Sequence, residues 1–377
     1  LKSNLEKNEE LKSVLVQESP WVREASSESE RKQRIALLFD LNRMASEQTS
    51  ALKKLREMQS ENGGWPWFNG MPESRYITQH IVTGLGHLAH LNVIMFAENS
   101  EAAEMLKKAI GFLDQEVKTD FEKTKKNDKE YLKNNHLGYD EIQYLYARTY
   151  FVKDFPVSKD LDEAVGYYKS QSVTYWKTQN NYMKAMMALY LDRFGDKNTA
   201  SLIMRSLKET SLHNDEMGMY WRNEQRGWNW YQAPIETQAL LIEAFDEVSN
   251  DQKSVDGLKT WLLKQKQTQD WKTTKATSEA VYALLLRGSS LLASDKQVEI
   301  LLGNEKVDPY KMDGSKPEAG TGYFKTSWSA SAIKPEMGKV TVTNPNPTVA
   351  WGALYWQYFE QLDKITPAQT PLSISKK

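Results

Sequence analysis

The chain has 377 residues, enough for a large hydrophobic core and for two domains. Lysine and arginine number 49 and aspartate and glutamate number 50, so no global field favours nucleic acid or an anionic membrane. The absence of cysteine excludes disulfides, thiolate nucleophiles and cysteine-containing zinc sites, while it leaves the compartment open.

The sequence starts at Leu1 with neither an initiator methionine nor an apolar signal core, so we expect it to begin inside a longer chain. No apolar run is long enough to cross a membrane. From Leu1 to about residue 292, apolar residues recur at helical spacing, and Gly, Asn, Asp and Pro separate the helical segments. The predicted helical segments are Ala51–Met58, Ile77–Ile94, Glu101–Val117, Tyr139–Val152, Leu161–Tyr168, Asn181–Phe194, Thr199–Leu207, Ile235–Val248, Val255–Lys264 and Thr277–Leu286.

An aromatic turn precedes every second helix, at intervals of roughly 40 to 60 residues. Each interval fits two helices, and stacked helical hairpins bury their apolar faces only if they close on one another. The predicted fold is therefore mainly α, an α/α toroid of five to six helical hairpins. The helices after the turns form its inner ring, and more charged helices such as Glu101–Val117 lie outside. All aromatic turns then fall at one end of the toroid.

The pattern changes beyond residue 292. Val298–Leu302 is a short apolar run, Lys339–Thr343 alternates with period two, and Val349–Phe359 is rich in β-forming residues. Proline and glycine separate these runs, which predicts a small β-sandwich-like module. The predicted domains are the α/α toroid over residues 1–292, the β-rich module over residues 293–365, and a tail or linker over residues 366–377.

The spacing Gln59-x3-Gly63-x-Trp65 is typical of a helix end in an α/α toroid. Gln59 ends the helix, Gly63 or Gly64 takes the left-handed cap conformation, and Trp65 covers the turn. Triterpene cyclases use the same spacing. Their acidic DxDD or DDxxD clusters are absent here, so this motif predicts architecture and not cyclase chemistry.

Three histidines, His80, His87 and His90, share one predicted helix, where two imidazoles could meet a metal. That helix has no HExxH motif, so we expect these rings to stack, cap or face solvent. Neither a metal site nor another cofactor is predicted.

Four carboxylates lie near the aromatic turns: Asp140, Glu141, Glu236 and Glu279. Two of them across the toroid mouth could form a glycosidase acid/base pair, with tryptophans as sugar platforms. The alternative is that they complement helix N-termini, as the position of Glu236 after Pro234 suggests. No nucleophile–base constellation is readable, so no catalytic residue is predicted and an enzyme is not expected.

The segment ENGGWPWFNGMPESRYITQHIVTGLGHL resembles the thioester-containing domain of bacterial alpha-2-macroglobulin family proteins. WKTTKATSEAVYALLLRG resembles the last inner helix of that domain, and ALYWQYFEQLDKI resembles a strand of the following β module. ESPWVREASSESERKQRIALLFDLNRM resembles a segment near the domain's start, so the resemblance spans about residues 18–365.

The resemblance implies an extracytoplasmic parent protein, in the periplasm or at the cell surface, that traps proteases after they cut a bait segment. The partners implied are other domains of the parent chain, with proteases as targets of the parent, and neither nucleic acid nor membrane. Thioester-bearing members use a Cys-x-x-Gln motif, which a chain without cysteine cannot form. Either the motif lies before Leu1, or the parent belongs to the thioester-less branch.

The resemblance also implies an aromatic toroid end, where the family protects its thioester from water. Ordinary turn packing is the alternative for each residue. The candidate binding residues are Trp65, Trp67, Tyr76, Trp228, Trp230, Tyr231 and Trp271. Two other hypotheses stay open: a glycan-active α/α toroid enzyme, and a Trp-lined carbohydrate- or peptide-binding module.

Overall fold

Ten α-helices account for most of the described chain, and each coincides with one of the predicted helical segments. The computed structural model describes residues 41–94, 96, 100–214, 217–222, 234–268, 271, 273–286, 298–308, 311, 326–345 and 354–357. The helices are α1 (Leu41–Met58), α2 (Arg75–His90), α3 (Glu101–Asn127), α4 (Tyr139–Thr149), α5 (Asp162–Tyr175), α6 (Asn181–Arg193), α7 (Lys197–Glu209), α8 (Pro234–Glu247), α9 (Gln252–Thr268) and α10 (Thr274–Leu285).

Polar residues just before the helices determine where several of them begin. In five helices a side-chain oxygen of the preceding residue accepts the N–H of the residue three positions later, which satisfies a backbone donor that the helix leaves unpaired. These cap residues are Ser74, Ser100, Asn180, Asp196 and Thr273. At α4 the cap is Gly138, and the Glu141 side chain accepts its N–H at 3.0 Å instead.

The helices form two concentric rings. Each of α2, α4, α6 and α8 packs directly against the next member of the series, which ends at α10. The inner helices α6 and α8 are buried over most of their length, whereas the outer helix α3 buries a single stripe of residues. The imidazole of His87 in α2 stacks on the phenol ring of Tyr282 in α10, with ring centres 3.7 Å apart. This contact between the first and last inner helices closes the inner ring of helices. The predicted α/α toroid of helical hairpins is thus confirmed.

A hairpin joins α1 to α2 at one end of the toroid. Its strands β1 (Trp65–Pro66) and β2 (Glu73–Ser74) pair antiparallel. The Gln59 Nε2 atom donates to the Gly63 carbonyl and to the Met105 carbonyl, both at 2.9 Å, and Gly63 has φ +97°. The predicted helix-end motif is therefore present, with Gly63 as the left-handed residue. A second hairpin, β3 (Leu212–Asn214) with β4 (Gly218–Tyr220), follows α7.

The described residues 298–308, 327–345 and 354–357 belong to a second compact unit. It holds β5 (Glu299–Leu302), β6 (Glu305–Lys306) and β7 (Val340–Thr343) in one antiparallel sheet of order β6-β5-β7. The small β module is thereby confirmed. The third predicted strand falls largely outside the described residues, and residues 354–357 belong to no strand.

The domain limits at residues 293–365 and 366–377 stay predictions. Among the helices of the described ranges, none combines the length and apolar character that a bilayer crossing requires.

Candidate functional site

Two of the predicted binding tryptophans belong to the core. Trp65 and Trp271 are each only 1% exposed. The Trp65 indole N–H donates to the Leu55 carbonyl at 2.8 Å, which ties the hairpin to α1. The Lys266 ammonium lies 5.5 Å from the ring centre of Trp271. Both side chains are therefore core residues and present almost no surface to a partner. Trp228, Trp230 and Tyr231 lie outside the described residues.

One exposed apolar surface with aromatic residues lies at the tip of the first hairpin. Trp67, Phe68 and Met71 are 45%, 69% and 50% exposed, and we call residues 67–71 the hairpin tip. Of these three, the sequence reasoning had singled out Trp67 alone. The signal was available in the run Trp67-Phe68-Asn69-Gly70-Met71, which is too short and too rich in turn formers for a buried element.

Behind the hairpin tip, aromatic rings form a row across the first turns of three inner helices. Trp67 stacks on Tyr76 with ring centres 5.7 Å apart, and Tyr76 on Tyr139 at 6.2 Å. Tyr139 stacks on Tyr182 at 6.5 Å, and the Lys275 ammonium lies 5.7 Å from the Tyr182 ring centre. The predicted residues Trp67 and Tyr76 are thus brought together. Because the rings in the row face one another, Tyr76 and Tyr139 offer few free faces for stacking on a sugar.

Near the other end of the inner helices, a buried polar cluster brings together side chains from all five of them. We call it the central cluster, and its members are His87 of α2, Tyr146 of α4 and Tyr150 just after it, Arg193 of α6, Glu243 of α8 and Tyr282 of α10.

Glu243 is the acceptor at the heart of the central cluster and is 1% exposed. Its Oε1 atom accepts from Arg193 at 2.7 Å, from the Tyr282 hydroxyl at 3.0 Å and from the Tyr150 hydroxyl. Its Oε2 atom accepts from the Tyr146 hydroxyl. Both carboxylate oxygens therefore accept hydrogen bonds from protein donors.

Electrostatics within the central cluster keep Glu243 charged despite burial. Desolvation opposes the charge, but the Arg193 guanidinium and the tyrosine hydroxyls outweigh it, and the pKa of Glu243 falls to about 2. Arg193 also donates to Glu247 at 2.8 and 2.6 Å, so one guanidinium serves two carboxylates. Burial raises the pKa of Tyr146 and Tyr150 well above the ordinary value, so these hydroxyls keep their protons.

The three histidines of α2 stack on neighbouring rings or face solvent. Burial lowers the pKa of His87 to about 4 and that of His80 to about 4, so both rings are neutral at physiological pH. His80 stacks near Tyr76 at 6.4 Å, and His90 is exposed. One oxygen or nitrogen atom from each of His90, Glu243 and Glu247 could converge on a metal ion. The Arg193 guanidinium already supplies the cation to both carboxylates, so the donors fit an arginine better than a metal.

The four carboxylates named from sequence lie in different environments, and Asp140 is in the first turn of α4. Glu141 caps α4 and lies 3.6 Å from Arg75, which matches the helix N-terminal alternative. Glu236 is 2% exposed in the first turn of α8. Burial raises the pKa of Glu279 to about 7, and its carboxyl faces His87. Glu243, with the strongest set of bonds, was missed by the sequence reasoning. A charged residue within the apolar run Ile235–Phe245 was the signal that could have found it.

Two sizeable cavities of the described residues lie away from the central cluster. They have volumes of about 380 and 370 Å³ and are lined mainly by α3 residues, together with residues of α5 or of the segment before α4. Lysine and carboxylate side chains dominate both linings, and several of these are already paired, such as Lys118 with Asp160 at 2.7 Å.

Comparison with known proteins finds similarity at the level of solved structures. The structure of native alpha-2-macroglobulin from E. coli, determined by cryo-electron microscopy, matches with a TM-score of 0.46 and 15% sequence identity. The crystal structure of Salmonella alpha-2-macroglobulin reacted with methylamine matches with a TM-score of 0.42 and 15% identity. Each match covers 79% of this chain and 17% of the other, so this chain spans about a sixth of those molecules. Neither a protein-family model nor a curated protein matches the sequence.

Proposed function

We propose that this chain is the non-catalytic helical domain of an alpha-2-macroglobulin-like protease-trapping protein, and that its hairpin tip docks onto other domains of that protein. The resemblance of residues 61–88 and of the segments around it supports this family. The observation that carries the docking role is the exposed apolar hairpin tip on a helical ring.

The central cluster supports the non-catalytic part of the proposal. A glycosidase needs a carboxylate that can reach the substrate, and Glu243 is 1% exposed with both oxygens bonded to protein donors. A glycosidase also needs free aromatic faces for sugar rings, and Trp65 and Trp271 are buried. These residues therefore fit a scaffold better than a glycan-active enzyme or a Trp-lined sugar site.

The hairpin tip supports the docking part. Three large apolar side chains, Trp67, Phe68 and Met71, are about half exposed or more within five consecutive residues. The stack of Trp67 on Tyr76 ties the tip to the first turn of α2. An apolar set held in one geometry loses little conformational entropy when a partner covers it, which favours docking.

A binding experiment tests the docking role. The chain would be mixed with the separately produced remainder of its parent, and the affinity measured by calorimetry. We expect the double substitution Trp67→Ser with Phe68→Ser to weaken binding at least about tenfold, because burial of one large aromatic side chain contributes roughly 1.5–3 kcal/mol.

The matched control is the double substitution Val173→Ser with Leu202→Ser, which removes side chains that are 44% and 43% exposed on outer helices. This control should bind as the parent sequence does. Equal affinity for all three proteins would refute the docking role. Turnover of any glycan by the chain would refute the non-catalytic assignment.

The finer role that we propose is to shield or present a thioester whose cysteine lies outside these 377 residues, in an extracytoplasmic protein that acts on proteases. Intact-mass measurement of the parent with and without methylamine tests it. Addition of one methylamine together with one new free thiol is expected. An unchanged mass would reject the thioester role and leave the docking surface for the experiment above to judge.

A further inference from the structure

The contact between the first and last inner helices contains the carboxyl group of Glu279, whose charge state affects how the inner ring of helices closes. Glu279 Oε2 of α10 lies 3.7 Å from His87 Nδ1 of α2, and the two side chains are 15% and 9% exposed. The Tyr282 ring, one turn further along α10, stacks on the same His87 ring. We call the contacts of His87 with Glu279 and Tyr282 the seam.

Charged and titratable groups face the seam from every inner helix. Those near Glu279 are Lys275 on its own helix, Glu236 and Glu243 of α8, Tyr139 of α4 and Tyr182 of α6. Those near His87 are His80 and His90 of α2, Tyr146 within α4 and Tyr150 just after it, Arg193 of α6, Glu243 of α8 and Tyr282 of α10.

Hydrogen bonding determines which nitrogen of His87 carries the proton. The single proton of the Tyr146 hydroxyl has three neighbours: Glu243, the Tyr150 hydroxyl at 2.8 Å and His87 Nε2. Because ionised Glu243 can only accept and is the strongest acceptor of the three, we assign this proton to Glu243. The Tyr146 oxygen is then an acceptor for His87 Nε2, which lies 3.1 Å away. His87 is therefore protonated on Nε2, and its Nδ1 atom presents a lone pair toward Glu279.

Because Nδ1 presents a lone pair, the contact between His87 and Glu279 depends on whether Glu279 is protonated. An ionised Glu279 would place its own lone pairs against that of Nδ1, beside the ionised Glu243, whereas a protonated Glu279 can donate an O–H bond. Movement of less than about 1 Å brings the pair to hydrogen-bond distance. We propose that protonated Glu279 donates to His87 Nδ1 and latches α10 to α2, and that loss of this proton weakens the closure of the ring.

The latch extends as a directed chain of bonds. Glu279 donates to His87, His87 to Tyr146, and Tyr146 to Glu243, which links α10, α2, α4 and α8. Burial raises the pKa of Glu279 to about 7, so the proton is exchanged near neutral pH. The latch rests on the geometry of the seam and holds whether or not the chain belongs to a protease trap.

Histidine ¹⁵N NMR of the unmodified full chain tests the assignment of protons. The chain has five histidines, so selective labelling gives a simple spectrum. We expect His87 to carry its proton on Nε2, and its Nδ1 shift to change between about pH 6 and pH 8 while the ring stays neutral. A proton on Nδ1, or an Nδ1 shift that stays constant over this range, would overturn the proposal without any substitution.

Hydrogen exchange of the same chain tests the closure itself. After correction for intrinsic exchange, protection of α2 and α10, relative to that in the variant Glu279→Gln, should fall by up to about tenfold per pH unit as pH rises toward the midpoint near 7, and should level off above it. The isosteric substitution Glu279→Gln keeps a donor and loses the titration, so its protection should not show this fall. Glu209→Gln, at an exposed position on α7, is the control and should behave as the unmodified chain. The same pH response in Glu279→Gln and in the unmodified chain would reject the latch.

Discussion

Gly63 is a residue for which backbone conformation and packing both demand glycine. Its φ is +97°, and a Cβ atom at this position would lie 2.2 Å from the Lys108 carbonyl oxygen. We predict that Gly63→Ala lowers the free energy of unfolding by about 2–4 kcal/mol, because strain and a backbone clash add. Urea unfolding measures this change.

Gly166 provides the matched control for Gly63. It is exposed within α5, and a Cβ atom there meets no other atom within 4 Å. Gly166→Ala should therefore raise the free energy of unfolding by about 0.5–1 kcal/mol, through the lower backbone entropy of alanine in the unfolded chain. An equal loss of stability in both variants would contradict the conformational argument.

The guanidinium of Arg193 stabilises the charge of the buried Glu243 carboxylate. Its guanidinium lies 2.7 Å from Glu243 and 2.6 Å from Glu247. We predict that Arg193→Met lowers the free energy of unfolding by about 3–5 kcal/mol, since it leaves a buried carboxylate without its partner. Adding Glu243→Gln to Arg193→Met should restore a large part of the loss. A double variant as unstable as the sum of the single variants would show that the pair is not coupled.

At the scale of elements, helix caps set the start of the inner helices. Asn180 accepts the Met183 N–H at 2.9 Å at the start of α6. We predict that Asn180→Ala costs about 1 kcal/mol of unfolding free energy and that Asn180→Ser costs little, because serine also caps well. Thermal unfolding of the two variants would distinguish them, and similar melting temperatures would mean that packing alone positions this helix.

The elements were predictable from sequence because their cause is local. Apolar spacing and Gly, Asn and Pro breakers marked each helix, and the Gln59-x3-Gly63-x-Trp65 spacing identified a helix end with its left-handed residue. The central cluster was not predictable in this way. Arg193 and Glu243 are 50 positions apart in sequence, and only closure of the ring brings their helices together. The burial of Trp65 and Trp271 was also hidden, since a turn tryptophan has the same sequence pattern whether it covers the core or faces water.

At the scale of the whole molecule, burial shifts the pKa of several interior groups so that their charged forms are disfavoured. The pKa of His80 and of His87 is about 4, below the ordinary value of 6.5, so these rings stabilise the fold above pH 6.5 and this stability is lost as pH falls through 4. The pKa of Glu279 is about 7, above the ordinary 4.5, so its contribution is present below pH 4.5 and is lost as pH rises through 7. The two effects have opposite signs between pH 4.5 and 6.5 and partly cancel.

A substitution that removes one of these titrations should reveal the effect of the other on the free energy of unfolding. We predict that Glu279→Gln makes the free energy of unfolding rise more steeply between pH 4.5 and 6.5 than in the unmodified chain, because the histidine contribution is then no longer offset. His87→Phe keeps an aromatic ring at this position and removes one titrating imidazole. It should therefore make the rise of unfolding free energy with pH shallower. Urea unfolding at several pH values measures both slopes. Because Glu279 and His87 touch across the seam, a change of slope in the same direction for both variants would show that the seam as a unit, and not two opposing titrations, governs the response to pH.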